Sequence, residues 1–114
     1  MMEIRQKNLE GETVPSANEA SPDVYKVLLA NEHVKMLEMR LEPGQIDNWH
    51  MHPSESVYFV KGGNLKIHLP DGGSVSKEVQ DGGVMWHEEW THRVENTGST
   101  TVVAIIVEDI GRKG

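Results

Sequence analysis

The sequence contains no cysteine among its 114 residues, which excludes disulfides, thiolate nucleophiles and cysteine-based zinc sites. Any bound metal must therefore be held by nitrogen and oxygen donors. Basic residues are also scarce: 11 Lys and Arg against 18 Asp and Glu give a net charge of −7, which disfavours nucleic acid and anionic membrane surfaces. No apolar run approaches the roughly 20 residues of a membrane span. The sequence thus predicts neither a nucleic-acid nor a membrane partner.

The length fits one domain, and composition divides the chain into three parts. Residues 1–22 are polar and carry no regular period, so we interpret them as an N-terminal arm that forms an edge strand or a strand exchanged with another copy. Residues 23–110 form the predicted domain. Residues 111–114 are a basic tail, too short to bind nucleic acid. The opening residues lack the apolar stretch of a secretory signal, so a cytoplasmic location is expected.

Short segments rich in Val, Ile, Leu and Met, separated by glycine turns, fill the predicted domain. Leu65, Ile67 and Leu69 alternate with polar residues, the two-residue period of a half-buried strand. No segment shows a sustained helical period. This pattern predicts an all-β antiparallel sandwich or barrel. The predicted strands cover residues 24–30, 34–41, 56–60, 64–69, 74–79, 84–87 and 100–108.

Six histidines become the residues to follow, because cysteine is absent. The stretch "NWHMHPSES" places His50 and His52 on one face of any extended strand, since side chains alternate between faces. His92 in "WTHRVEN" is the best third candidate. Three neutral imidazoles would hold a divalent metal and leave positions open for water and substrate. Taken alone, however, the pair fits two incidental polar residues as well as two ligands.

The surrounding residues resemble the cupin superfamily. Its first motif is a Gly, five residues, His-x-His, three or four residues, a Glu, six residues and a Gly. Gly44 stands six residues before His50, as that motif requires. The second motif ends in a His and, four residues later, an Asn, which His92 and Asn96 match. Two motifs in the right order, separated by a suitable number of strands, make a fairly specific signal.

The resemblance implies a double-stranded β-helix, also called a jelly-roll barrel, with one divalent metal (Fe, Mn, Ni, Zn or Cu) inside it. Small bacterial cupins, including a group named for β-alanine degradation, are loosely similar to this chain and often form homodimers. A metal-dependent enzyme is therefore expected, with dioxygenase-type or Lewis-acid chemistry on a small carboxylate or carbonyl metabolite. The alternative is a cupin that binds or senses a small molecule without catalysis.

The first motif departs from the family pattern at its glutamate. An ungapped match places Ser56 there, whereas Glu55 fits only if the loop is one residue shorter. Because Ser56 shares the parity of His50 and His52, strand alternation favours a three-histidine site with Ser56 in its pocket. Glu55 as a fourth ligand is the less favoured alternative, since it would need a bulge to face the same way.

The second motif is more polar than usual, with His87 and Glu89 where the family has Pro and Gly. His87 is a candidate acid or base at the rim, because imidazole titrates near neutral pH. A solvated acidic turn with an incidental histidine is the alternative. Trp49 and Trp90 are predicted to line the pocket mouth. Tyr58 shares the parity of Ser56 and is a second catalytic candidate.

Overall fold

The computed structural model describes residues 14–111, which form two antiparallel sheets. Within this range no helix is long and apolar enough to cross a membrane. The all-β antiparallel prediction is confirmed. The elements are α1 (Ala17–Ala20), β1 (Tyr25–Ala30), β2 (Val34–Leu41), β3 (His50–His52), β4 (Glu55–Lys61), β5 (Gly63–His68), β6 (Ser74–Val79), β7 (Val84–His87), β8 (Trp90–Asn96) and β9 (Val102–Asp109).

The strands are shared between a five-stranded sheet, in the order β1-β2-β9-β4-β7, and a four-stranded sheet, in the order β3-β8-β5-β6. Alternating apolar residues turn one face of each sheet inward. On β5, for example, Leu65 and Ile67 are buried. The buried apolar side chains of both sheets meet in one core, which includes Leu37, Leu41, Phe59, Leu65, Val94, Val102 and Ile106.

The described part of the arm packs against the same core. Val14 and Ala17 are buried, and the backbone N–H of Met51 donates to the carbonyl of Pro15 at 2.9 Å. The short helix α1 begins after Ser16, whose backbone N–H donates to the Glu19 carboxylate. This is the Ser-x-x-Glu pattern of a helix start. Residues 1–13 of the predicted arm lie outside the described residues, so the edge or exchanged strand expected in the arm stays a prediction.

The two motifs predicted from the sequence meet in space. Gly44, which adopts a positive φ of 81°, donates its N–H to the Asn96 carbonyl at 2.9 Å, and Asn96 donates its own N–H to Gln45. The Asn96 side chain is fully buried and bonds to the carbonyls of Leu41 and Thr100. These contacts fix the loop before β3 to the end of β8, and so position the strands that carry the histidines.

Candidate metal centre

His50, His52 and His92 form one buried cluster between the two sheets. His50 lies directly opposite His92 in the β3–β8 pairing, and His52 follows on the same face of β3. The ring centroids are 4.7 Å apart for His50 with His52, 4.7 Å for His50 with His92, and 5.2 Å for His52 with His92. One nitrogen from each ring lies within 4.8 Å of the others. The spacing of a shared metal site is therefore present in the protein alone.

His50 is oriented by the backbone just before it. Its Nδ1 lies 2.7 Å from the Asn48 carbonyl oxygen, which can only accept a hydrogen bond. Nδ1 therefore carries the proton, and Nε2 has its lone pair free. Burial, and then the neighbouring His52, lowers the pKa of His50 well below 6.5. His50 is thus held neutral, the state in which imidazole binds a metal.

His52 lies between two buried carboxylates. Its Nδ1 is 2.5 Å from Glu108 Oε2 and 3.5 Å from Glu55 Oε1. Glu55 and Glu108 face each other across β4 and β9, and Lys35 Nζ lies 3.7 Å from Glu108 Oε1. Burial alone would lower the pKa of His52, but the two carboxylates outweigh it and raise that pKa. A histidine whose Nδ1–H binds a carboxylate presents a fixed, more basic Nε2 to a metal.

His92 has no such support. It is 4% exposed, and among the described residues neither ring nitrogen has a hydrogen-bond partner. Burial lowers its pKa well below 6.5, with His50 and His52 acting in the same direction. A buried imidazole with both nitrogens unpaired is costly, because it loses its bonds to water without replacing them.

Tyr25 and Asp47 form a buried pair beside His50. The Tyr25 hydroxyl donates to Asp47 Oδ2 at 2.7 Å, and Asp47 Oδ1 accepts the Val94 N–H at 2.7 Å. Burial raises the pKa of Asp47 to about 6, although these two hydrogen bonds act against it. Burial, followed by the Asp47 charge, raises the pKa of Tyr25 as well.

Comparison with known proteins decides the family. The chain is 30% identical to a cupin domain of Bordetella pertussis Tohama I, covering 87% of this chain and 98% of that one, with a TM-score of 0.69. The chain belongs to the cupin superfamily. A double-stranded β-helix protein of Klebsiella pneumoniae matches at 19% identity, over 87% of this chain and 90% of that one, with a TM-score of 0.62. No protein-family model matches, and neither does any curated protein.

A third likeness extends over more of the chain. A cupin-family protein of Methanocaldococcus jannaschii with a double-stranded β-helix fold is 15% identical, over 96% of this chain and 91% of that one, with a TM-score of 0.61. At this low identity the match concerns the fold alone. Together with the two antiparallel sheets, it confirms the predicted double-stranded β-helix.

The prediction that Ser56 and Tyr58 face the histidines is wrong. Both lie on the outer face of the five-stranded sheet, where Tyr58 is 49% exposed, whereas Glu55 is buried. Strand parity fails as a guide because the chain leaves β3 in one sheet and enters β4 in the other, with Pro53 and Ser54 between them. Alternation counted through that crossing assigns the wrong face to every residue of β4.

Glu55 is inside this cupin but stands behind His52. One carboxylate oxygen accepts the Trp90 indole N–H at 2.7 Å, and the other faces the Nδ1 side of His52. Among the described residues, the donor atoms mutually within 4.8 Å come from the three histidines, without Glu55. Burial raises the pKa of Glu55, although His52 acts against that shift.

The predicted rim residues separate into two groups. Trp90 lies against His92, with ring centroids 4.2 Å apart, and His87 stacks on Trp90 with ring centroids 3.6 Å apart. Trp49 instead lies near Arg93, whose guanidinium carbon is 5.8 Å from the centroid of the Trp49 ring. Trp90 is thus the indole that contacts a candidate ligand, and His87 lies one ring further out.

Sequence reasoning missed Tyr25, Asp47 and Glu108. Glu108 had a visible signal, because it is a charge closing the apolar run "VVAIIVE" of β9. Tyr25 and Asp47 had none, since each sits among ordinary strand or loop residues and acquires its partner only through the fold.

Proposed function

We propose that this cupin binds one divalent transition metal through His50, His52 and His92, and that it is a metal-dependent enzyme acting on a small carboxylate or carbonyl metabolite. The observation that carries the proposal is the buried His92, which has no hydrogen-bond partner among the described residues. The two neighbouring histidines, in contrast, have hydrogen bonds at Nδ1. A metal bound by all three rings would supply the partner that His92 lacks.

The donors fit such a metal. Three imidazole nitrogens suit Fe, Mn, Ni, Zn or Cu, and three protein ligands leave positions open for other groups. When bound, the metal would supply a Lewis acid or, if it is iron, a centre for O₂ chemistry. The chain's own contribution is to hold the rings: Asn48 and Glu108 orient two of them, and Trp90 shields the third from water.

Elemental analysis of protein purified without a His tag or added metal tests this proposal. Wild type is expected to carry about one metal per chain, and His50→Ala and His92→Ala are expected to lose it. His33→Ala, which removes an exposed histidine between β1 and β2, is the matched control and should retain the metal. Sub-stoichiometric metal in the wild type would contradict the proposal.

A ligand screen on the metal-loaded protein then separates an enzyme from a binding module. Carboxylate and carbonyl metabolites that raise the melting temperature are incubated with the protein under air, and their consumption is followed. Turnover supports the enzyme. Saturable binding without turnover would support the alternative, a cupin that binds or senses its ligand.

We also propose that the protein is a homodimer. The outer face of the five-stranded sheet supports this, because one cross-strand row carries apolar or small residues on all five strands: Leu29, Met36, Val107, Ser56 and Trp86. Trp86 is 60% exposed and the nearby Val84 is 76% exposed, as expected of a face that a partner covers.

The mass of the protein in solution tests this second proposal. Trp86→Lys is expected to convert a dimer to a monomer. Val75→Lys, at a valine on β6 of the other sheet that is 43% exposed, should leave the dimer intact. A wild-type monomer would contradict it.

A cytoplasmic location is proposed on composition alone. The chain has no cysteine, so it draws no stability from an oxidising compartment. Cell fractionation with an antibody to the native protein would test it, and recovery from a secreted fraction would contradict it.

A further inference from the structure

Tyr25 is placed toward the histidine cluster although its strand is otherwise exposed. It is 2% exposed, whereas the five residues after it on β1 face solvent. Its ring makes edge contacts with His50 and His52, at centroid distances of 5.2 and 6.0 Å. The phenol therefore forms one wall of the candidate metal centre.

The hydrogen bonds around Tyr25 fix where its proton points. The hydroxyl donates to Asp47 Oδ2 at 2.7 Å, and the other Asp47 oxygen already accepts from the backbone of Val94. The same hydroxyl oxygen lies 3.4 Å from His50 Nε2, a much longer separation. The phenolic proton is thus directed to Asp47, and the oxygen lone pairs remain for other contacts.

His50 brings no proton to that contact either. In neutral His50, the form that binds a metal, the single ring proton is on Nδ1 and is donated to the Asn48 carbonyl, so Nε2 offers only a lone pair. Two acceptors, the Tyr25 oxygen and the His50 nitrogen, therefore face each other in a buried site with no proton between them. This arrangement is repulsive on its own and becomes favourable when a cation binds both atoms.

The separation of the two acceptors fits a shared metal. Two ligands with bonds of about 2.0–2.1 Å to one ion are about 3.4 Å apart at a ligand–metal–ligand angle near 110°, which a five-coordinate ion with one position left for substrate also provides. The Tyr25 oxygen and His50 Nε2 are 3.4 Å apart. Asp47 stands behind the phenol and holds it in that position through the 2.7 Å hydrogen bond.

We propose that Tyr25 supplies a fourth protein ligand, so that the site contains three histidine nitrogens and one tyrosine oxygen with Asp47 as its hydrogen-bond support. The proposal rests on the three-histidine metal site proposed above. The oxygen donor shifts the site's preference away from soft Cu(I) and toward harder ions such as Fe, Mn or Zn.

Cobalt(II) titration of the metal-free protein tests the proposal in wild type, Tyr25→Phe and Tyr58→Phe. Phenylalanine keeps the ring packing and removes only the oxygen. We expect Tyr25→Phe to bind Co²⁺ about tenfold or more weakly, and to show a visible spectrum of altered coordination. Tyr58→Phe, at an exposed tyrosine on the outer face, should match wild type in both readouts.

The outcomes separate this proposal from the function on which it rests. No Co²⁺ binding by wild type would overturn both. Binding by wild type together with a wild-type spectrum in Tyr25→Phe would overturn only the tyrosine ligand, even if the affinity fell, because the coordination would be unchanged.

A second measurement avoids any change at Tyr25. The chain has only two tyrosines, so Tyr58→Phe labelled with ¹³C at tyrosine Cζ gives a single signal, that of Tyr25. Saturation with Zn²⁺ is expected to shift this signal. A Cζ signal that does not move would overturn the proposal.

Discussion

His52 and His92 belong to one cluster but have opposite surroundings. His52 is held between two buried carboxylates, whereas His92 has no polar partner among the described residues. Burial opposes protonation of both rings, yet the carboxylates raise the pKa of His52 while the pKa of His92 falls. Hydrogen bonds to carboxylates thus fix the orientation of His52, whereas His92 is held by packing against Trp90.

The contrast indicates which of the three histidines weakens the fold most in the metal-free protein. A fully unsupported cluster would carry three unsatisfied imidazoles, and each would weaken the fold. Here that cost is concentrated at His92, because His50 and His52 keep hydrogen bonds through Nδ1. His92 is therefore the position at which metal binding should be coupled most strongly to stability.

The largest expected effect comes from Asn96, which lies four residues after His92 on the same strand and is fully satisfied. Its side chain bonds to the Leu41 and Thr100 carbonyls and to the Gly98 N–H. Asn96→Ala should lower the free energy of unfolding by about 3 kcal/mol, because these backbone groups lose their partner. Urea unfolding measures this.

The control for Asn96 is Asn64→Ala, at an exposed asparagine on β5. Its free energy of unfolding should stay within about 0.5 kcal/mol of wild type. Equal losses in the two variants would show that Asn96 is not the link between the motifs that its hydrogen bonds indicate.

The sequence predicted the histidines because both motifs depend on local spacing. His50 and His52 share a face over a three-residue strand, and His92 and Asn96 share the inward face of β8. Most strand bounds were likewise predicted to within one or two residues, since the turns carry glycine and the strands alternate.

The errors in the site arose where the chain changes sheets or where a partner comes from far away. Ser56 was assigned to the inside by a parity count that crosses from one sheet to the other. Glu108 is 56 residues from His52, and the Tyr25–Asp47 pair joins residues 22 apart. Such contacts depend on how the sheets fold over each other, which no local pattern records.

The next largest effect is expected at Glu108, the carboxylate that binds His52. Glu108→Gln keeps a hydrogen-bond acceptor for His52 Nδ1 but removes the charge that makes the ring more basic. The dissociation constant for Zn²⁺, measured against a competing chelator, should rise by about tenfold. Glu95→Gln is the matched control, because Glu95 pairs with His68 outside the cluster, and its affinity should equal that of wild type.

If Glu108→Gln binds Zn²⁺ as tightly as wild type, the carboxylate only positions the ring. In that case the difference between His52 and His92 would be one of geometry rather than charge. Glu108→Leu would then separate the two, since it removes the acceptor as well.

The smallest expected effect concerns His92 and depends on pH. The pKa of His92 lies well below 6.5 in the folded protein, so below pH 6.5 the unfolded chain binds a proton that the folded chain does not. The free energy of unfolding of the metal-free protein should therefore fall as the pH decreases through 6.5. His92→Asn removes this contribution, because asparagine does not titrate.

Urea unfolding in the presence of chelator at pH 7.5 and 5.5 measures the difference. Between pH 7.5 and 5.5 the free energy of unfolding should fall by about 1 kcal/mol less in His92→Asn than in wild type. In His33→Asn, at an exposed histidine, the free energy of unfolding should change with pH as it does in wild type. Identical slopes in wild type and His92→Asn would mean that His92 has access to a proton when folded, and the contrast with His52 would then be one of packing alone.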